Sequence, residues 1–389
     1  MFVKNLLLIL ITLPLIARPL VMQTKAKTAL IMNGKTGKVL YEKGGYEKIY
    51  PASTTKVATA LYAIAHKKTA LETFFTVSPQ ALEQRNPQND LSNPWKWNPD
   101  GTRMWLVPKE KVSLEALLHG LLLISGNDAA NVIAENLSPS TTQFVEDFNH
   151  YLASIGCKNT QFLNPHGCHH PDHWTTAYDL CLMMKEAISH PTFCKISSTK
   201  NYLRGKTNYQ KASEIKNYIL FFSEKSNFYT PEIIAAKTGY HKESGYVLLA
   251  ACQKKGRTLI GVVGGLEDSN SRYKELLDLF ETTFEETPET AHFFNEKHLF
   301  VQEIEGSKEK LKAFLKEPLT LSYYPSEEPE CKAFVAWKKK KLPIQKGEVV
   351  GEVRLFNEEG LLIKKAELFA KETVEASFLY RLQQFFKKE

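Results

Sequence analysis

The chain has 389 residues, 43% of them hydrophobic and 24% charged, with a net charge of +7 at pH 7. That length exceeds one ordinary core and predicts two globular units, and the composition excludes a disordered chain. The mild basic excess suits an anionic surface but argues against nucleic acid, because the dense run Lys338 to Lys341 has only Trp337 beside it as a stacking ring.

Lys4 precedes an apolar run, Leu6 to Ile16, that is short for a bilayer span and has the plan of a secretory leader. We assign residues 1–22 to that leader, with removal expected between Ala17 and Ala26. Thr28 to Met32 then reads as a strand. Asn33-Gly34-Lys35-Thr36-Gly37 makes a tight turn into a second strand, Lys38 to Glu42. Pro51 opens a helix with apolar residues Val57, Ala60, Leu61 and Ile64 at helical spacing. Leu114 to Leu123 is a strongly apolar helix, broken at Ser125-Gly126-Asn127, and a new helix begins near Asp128.

Thr176 with Asp179 is a capping-box signature for a helix over Ala177 to Ala187. Three strand-like runs follow: Ile233 to Tyr240, Gly245 to Cys252 and Thr258 to Val263. The short polar turns between them predict an antiparallel meander. Strands at both ends with helices between them make residues 23–286 an α+β domain. Short runs near Leu299, Leu319, Ala333, Val349 and Leu361 predict a small all-β domain over residues 287–371. In residues 372–389, Val374, Phe378, Leu379, Leu382, Phe385 and Phe386 fall on one helical face. This amphipathic helix reads as a membrane-interface anchor, with docking on its own domain as the alternative.

Six cysteines stand at 157, 168, 181, 194, 252 and 331 without a C-x-x-C pair. A cysteine-built zinc site is therefore not expected, and free buried thiols are preferred over a Cys157–Cys168 disulfide. Cys168-His169-His170 with His173 hints at a metal, but no carboxylate motif completes a site, so none is assigned.

Three short motifs carry the chemistry. Ser53-Thr54-Thr55-Lys56 puts a hydroxyl and an amine three residues apart on one helical face. A serine needs a base to become a nucleophile, and a lysine is a base only when neutral. The same S-x-x-K letters occur at Ser197, Ser213, Ser271 and Ser307. Only Ser53 follows Pro51-Ala52 at the start of an apolar helix. Ser125-Gly126-Asn127 offers a proton-relaying hydroxyl and an amide for a peptide carbonyl, although Ser and Asn also favour ordinary helix caps. Lys237-Thr238-Gly239 ends a strand, where an ammonium and a hydroxyl suit the carboxylate of an extended peptide. Lys35-Thr36-Gly37 repeats those letters in a hairpin turn and is the weaker candidate.

The order of these motifs matches the S-x-x-K, S-x-N and K-T-G signature of penicillin-recognising serine enzymes. Together with Asn164-Pro165-His166-Gly167, Thr176-Ala177-Tyr178-Asp179 and Ile344 to Gly351, they resemble the low-molecular-mass penicillin-binding proteins, the serine D-Ala-D-Ala carboxypeptidases. The resemblance implies a helix-flanked antiparallel sheet of the β-lactamase/transpeptidase type, a small β-domain and an amphipathic tail. It implies Ser53 as nucleophile, Lys56 as base and Ser125 as proton relay. Asn127, Lys237, Thr238, Gly239, Tyr240 and Arg272 would bind substrate, with backbone N–H groups of Ser53 and Tyr240 as oxyanion hole.

The partners implied are a peptidoglycan stem peptide ending in D-Ala-D-Ala, β-lactams as inhibitors and the periplasmic face of the membrane. No cofactor or metal is implied. The sequence departs from the family pattern at His241, where Thr is common, at Ala235, where Gly is common, and at Lys216, where Arg is common. A β-lactamase would normally carry a Glu-x-x-x-Asn loop between Asn127 and Lys237, and none is present. A non-catalytic wall-binding protein is the remaining rival.

Overall fold

Strand β1 (Thr28–Asn33) is buried along its whole length. Its side chains alternate between two cores: Leu30 and Met32 enter one, Ala29 and Ile31 the other. Such a strand needs cover on both faces, which explains its unbroken apolar run. It pairs antiparallel with β2 (Val39–Lys43) on one side. On the other side the order continues through Arg257–Leu266 and Gly245–Lys254 to Ile233–His241, all antiparallel. These last three strands are the expected meander: β3 (Ile233–His241), β4 (Gly245–Lys254) and β5 (Arg257–Leu266).

One face of the sheet carries α1 (Thr55–Leu61), α2 (Leu114–Leu123), α3 (Asn127–Leu137), α4 (Thr141–Ser154) and α5 (Ala177–Ile188), with the short α6 (Pro191–Ser197) against β3. The other face is covered by α7 (Ser269–Phe284), through Tyr273, Leu276, Leu279 and Phe280. Two strand pairs escaped the sequence reading, Phe74–Thr76 with Lys111–Ser113 and Asn201–Arg204 with Ser213–Lys216. Each strand is only three or four residues long, too short for alternation to register. The α5 capping box is half built. Asp179 N–H donates to Thr176 Oγ1 at 3.1 Å, but the Asp179 carboxylate accepts from Asn159 N–H and Thr160 instead of the cap backbone.

The computed structural model describes residues 6–7, 20–86, 90–327, 331–357 and 360–386. They divide into two compact units, residues 20–285 and residues 286–386 with residues 6–7. Most of the expected leader lies outside the described residues. Leu6–Leu7 form a short strand against Val335 and Ala336 of the second unit.

The second unit is all-β apart from its end. It comprises β6 (Glu289–Phe294), β7 (Phe300–Gln302), β8 (Leu311–Phe314), β9 (Leu319–Tyr323), β10 (Lys332–Trp337), β11 (Val349–Phe356) and β12 (Leu362–Ala370). β6 pairs with β9, and the larger sheet runs β10-β11-β12-β8-β7. The terminal helix, α8, spans Phe378–Phe386 and so starts later than its apolar pattern suggests. Val374 is not on it. That residue bridges Ile344 and is buried in the β-core. Phe378, Leu379 and Leu382 are exposed, and no described helix is long and apolar enough to cross a membrane.

Candidate active site

Ser53 sits on a 3-10 turn, Ala52–Thr54, that leads directly into α1. Ala52 takes φ +49°, a left-handed conformation uncommon for a residue with a side chain. The turn is held from three sides. Thr54 donates to the Pro51 carbonyl, Thr55 Oγ1 to the Ala52 carbonyl at 3.0 Å, and His173 Nε2 lies 3.0 Å from Thr55 Oγ1. Because Leu163 N–H donates to His173 Nδ1 at 3.0 Å, the Nε2 atom carries the proton and donates to Thr55.

One helical turn on, Lys56 is fully buried. Its Nζ lies 2.9 Å from Ser53 Oγ, 2.7 Å from Asn127 Oδ1 and 2.6 Å from the His166 carbonyl oxygen. Loss of hydration pushes this amine down from its ordinary value to about 7, more than the fields of Cys168 and Asp128 restore. A neutral amine has two N–H bonds and one lone pair. The two acceptors at 2.6 and 2.7 Å satisfy the N–H bonds, which leaves the lone pair for the hydroxyl proton of Ser53.

The second wall is the break between α2 and α3. Ser125 takes φ +64°, and its Oγ is buried without a hydrogen-bond partner among the described residues. Thr102 Oγ1 donates to the Ser125 carbonyl at 2.7 Å, and Asp128 accepts from the N–H groups of Met104, Leu106 and Ala129. These bonds tie the 102–106 segment to the start of α3 and keep the break open.

The third wall is the edge strand β3. Lys237 is buried, and its Nζ donates to the Thr238 carbonyl at 2.9 Å. Desolvation, then the charges of Lys56 and Arg272, hold that amine well below its usual value. Gly239 is where strand and nucleophile turn meet. A Cβ there would stand 2.9 Å from the Pro51 carbonyl oxygen and 3.1 Å from Ser53 N, so only glycine fits without displacement. Arg272 on α7 donates to the Gly239 carbonyl at 3.3 Å and to Ser269 Oγ at 3.1 Å. Tyr240 is exposed and stacks on Tyr246 at 4.2 Å.

The proposed catalytic and binding residues thus surround one cleft of about 860 Å³. Ser53, Ser125, Asn127, Lys237, Thr238, Gly239, Tyr240 and Arg272 line it, and Lys56 stands behind Ser53. The Lys35-Thr36-Gly37 triplet is not among the lining residues, and neither is Lys216, which pairs with Glu214 at 3.6 Å.

Sequence reasoning missed a fourth contributor, the loop Asn164 to Gly167. Asn164 Oδ1 accepts from the N–H groups of His166 and Gly167, and the loop offers the His166 carbonyl to Lys56. The block was visible as a motif; a role played by a backbone carbonyl was not. Cys157, Cys168, Cys181, Cys194 and Cys252 are free thiols among the described residues. The clustered Cys168, His169, His170 and His173 separate in space. Cys168 Sγ lies 3.9 Å from Asn127 Nδ2, and His173 is buried under Thr55.

Comparison with known proteins gives the family. Residues 16–268 match the model of the D-alanyl-D-alanine carboxypeptidase family, and residues 289–376 match that of the penicillin-binding protein 5 C-terminal domain. D-alanyl-D-alanine carboxypeptidase DacF of Bacillus subtilis is 28% identical over 360 residues, covering 90% of this chain and 86% of the relative. DacA of Haemophilus influenzae is 28% identical, covering 85% of this chain and 81% of the relative. The crystal structure of penicillin binding protein 5 from Haemophilus influenzae is 27% identical, with a TM-score of 0.62, covering 92% of this chain and 99% of that one.

Proposed function

This chain belongs to the D-alanyl-D-alanine carboxypeptidase family, and from that premise we propose that Ser53 is the acylated nucleophile and Lys56 its base. It is a serine hydrolase of the low-molecular-mass penicillin-binding class, acting on peptidoglycan stem peptides that end in D-Ala-D-Ala. The observation that carries the assignment is the buried Lys56 amine, 2.9 Å from Ser53 Oγ, with an affinity for protons lowered to about 7. Near neutral pH a large fraction of it is a free base.

The extended peptide lies along β3, and its terminal carboxylate is drawn toward Lys237, Thr238 and Arg272. Asn127 holds a peptide amide of the stem. Ser53 Oγ attacks the carbonyl between the two D-alanines while its proton moves to Lys56 Nζ. The Ser53 and Tyr240 N–H groups receive the oxyanion. The C–N bond then breaks, and the proton passes by way of Ser125 to the departing amine, which leaves as free D-alanine. Ser125 Oγ has no competing partner among the described residues, which supports that relay. Water attacks the ester in the reverse sense, releasing the shortened peptide and restoring the Ser53 hydroxyl. A β-lactam opens on the same oxygen, and its tethered leaving group stays in the cleft.

Intact-mass measurement after benzylpenicillin treatment, with peptide mapping, tests the assignment. One adduct on the Ser53 peptide is expected, together with D-alanine release from a D-Ala-D-Ala peptide. An adduct elsewhere, or neither reaction, overturns it.

The exposed Phe378, Leu379 and Leu382 on α8 support a peripheral seat of the exported enzyme at the periplasmic membrane face. The informative truncation removes residues 378–389 only, because Val374 is part of the β-core. Loss of vesicle co-sedimentation with unchanged D-alanine release is the expected outcome; sedimentation that persists overturns the anchor.

A further inference from the structure

The β3–β4 turn and the loop after Gly167 face one another at the cleft mouth. His169 comes from the loop, and His241 and Glu243 come from the turn. One ligand atom from each lies within 4.8 Å of the other two. The sequence reading had His169 in a cluster with Cys168, His170 and His173; its partners here, His241 and Glu243, are distant in the chain. We infer that His169, His241 and Glu243 form a divalent-metal site, of the zinc class, bridging the two walls of the cleft mouth.

Three observations carry this. Among the described residues His169 Nδ1 is buried without a hydrogen-bond partner, so a lone pair or an N–H of this ring is left unused. His241 Nδ1 is overcommitted: Ser244 N–H reaches it at 3.0 Å, and a Glu243 carboxylate oxygen stands 3.2 Å away. Ligation through this nitrogen displaces the Ser244 amide, and the ion takes its place beside the carboxylate. The donor set, two imidazoles and one carboxylate, is that of zinc sites that keep an open position.

Arg85 is the opposing charge nearby. Its guanidinium donates to the His169 carbonyl at 3.0 Å, and Glu243 supplies the compensating negative charge. Zinc bonds of about 2.0–2.1 Å place donors roughly 3.4 Å apart, so binding draws loop and turn together by up to ~1.4 Å. Both segments border the cleft, and the bridging ion therefore narrows its entrance.

Calorimetric titration of the metal-free full-length chain with ZnCl2 tests the site against His169→Ala and Glu243→Gln. One equivalent is expected in the unmodified protein, bound at least ~10-fold more weakly in each variant. Absence of binding, or equal affinity in all three proteins, overturns the inference. Co2+ loading gives a second readout. Visible bands without thiolate charge transfer are expected, whereas a thiolate band would move the ion to a cysteine and overturn the assignment. Acylation of metal-free Glu243→Gln by penicillin is expected to be unchanged, which separates failure of the metal site from failure of the Ser53 reading.

Discussion

Lys35-Thr36-Gly37 and Lys237-Thr238-Gly239 are the same three letters in two environments. The first forms the hairpin turn between β1 and β2. Asn33 Oδ1 accepts from the N–H groups of Lys35 and Thr36, Gly37 takes φ +79°, and Lys35 is exposed. There glycine answers a backbone requirement and the lysine side chain lies in solvent. In the second copy, Lys237 is buried and Gly239 is pressed on the turn that carries Ser53. Glycine there answers a demand for space, and the amine has lost its water. Strand register beside α1, and not the tripeptide, creates the chemistry.

Substitutions can break or sharpen that contrast. The largest effect falls outside both triplets. Ser53→Ala is expected to lower D-alanine release by ~10⁴-fold or more and to abolish penicillin labelling, because no other hydroxyl shares the Lys56 lone pair. Within the triplets, Lys237→Ala should reduce kcat/KM by roughly 10²-fold through loss of a charge-assisted contact to the substrate carboxylate. Lys35→Ala should leave it unchanged. Equal losses in steady-state assays of the two variants would erase the distinction.

The glycines should part in a different measurement. Gly239→Ala is expected to slow acylation by about 10²-fold by displacing the Ser53 turn. Gly37→Ala should leave acylation alone and cost about 1–2 kcal/mol in chemical denaturation, since alanine resists φ +79°. Its new Cβ would meet only the flexible Lys185 side chain at 3.5–3.7 Å.

Long periodic segments were legible in the sequence. α2 and the α2–α3 break lie where the apolar run and Ser125-Gly126-Asn127 put them, and the β3–β5 meander follows the expected runs. Hydrophobic period carries that information because burial demands it. The three- and four-residue strand pairs were not legible, nor was the withdrawal of Val374 from the terminal helix, because its partner, Ile344, is supplied by tertiary packing. Within the site, the motif letters located Ser53, Lys56, Ser125, Asn127 and Lys237. They could not reveal that a backbone carbonyl at His166 is the third neighbour of Lys56, or that Glu243 stands beside His169. Contacts made by backbone atoms, or assembled across distant segments, leave no local pattern.

The central claim is that Lys56 acts as a neutral base, and the pH dependence of Ser53 acylation tests it most directly. Below the value of about 7 set by burial, protonation removes the lone pair. The rate constant for penicilloyl-adduct formation, followed by intact mass, should therefore fall about tenfold per pH unit and level off above about pH 8. A rate that is flat from about pH 5 to 8, with the adduct still on Ser53, would contradict the account.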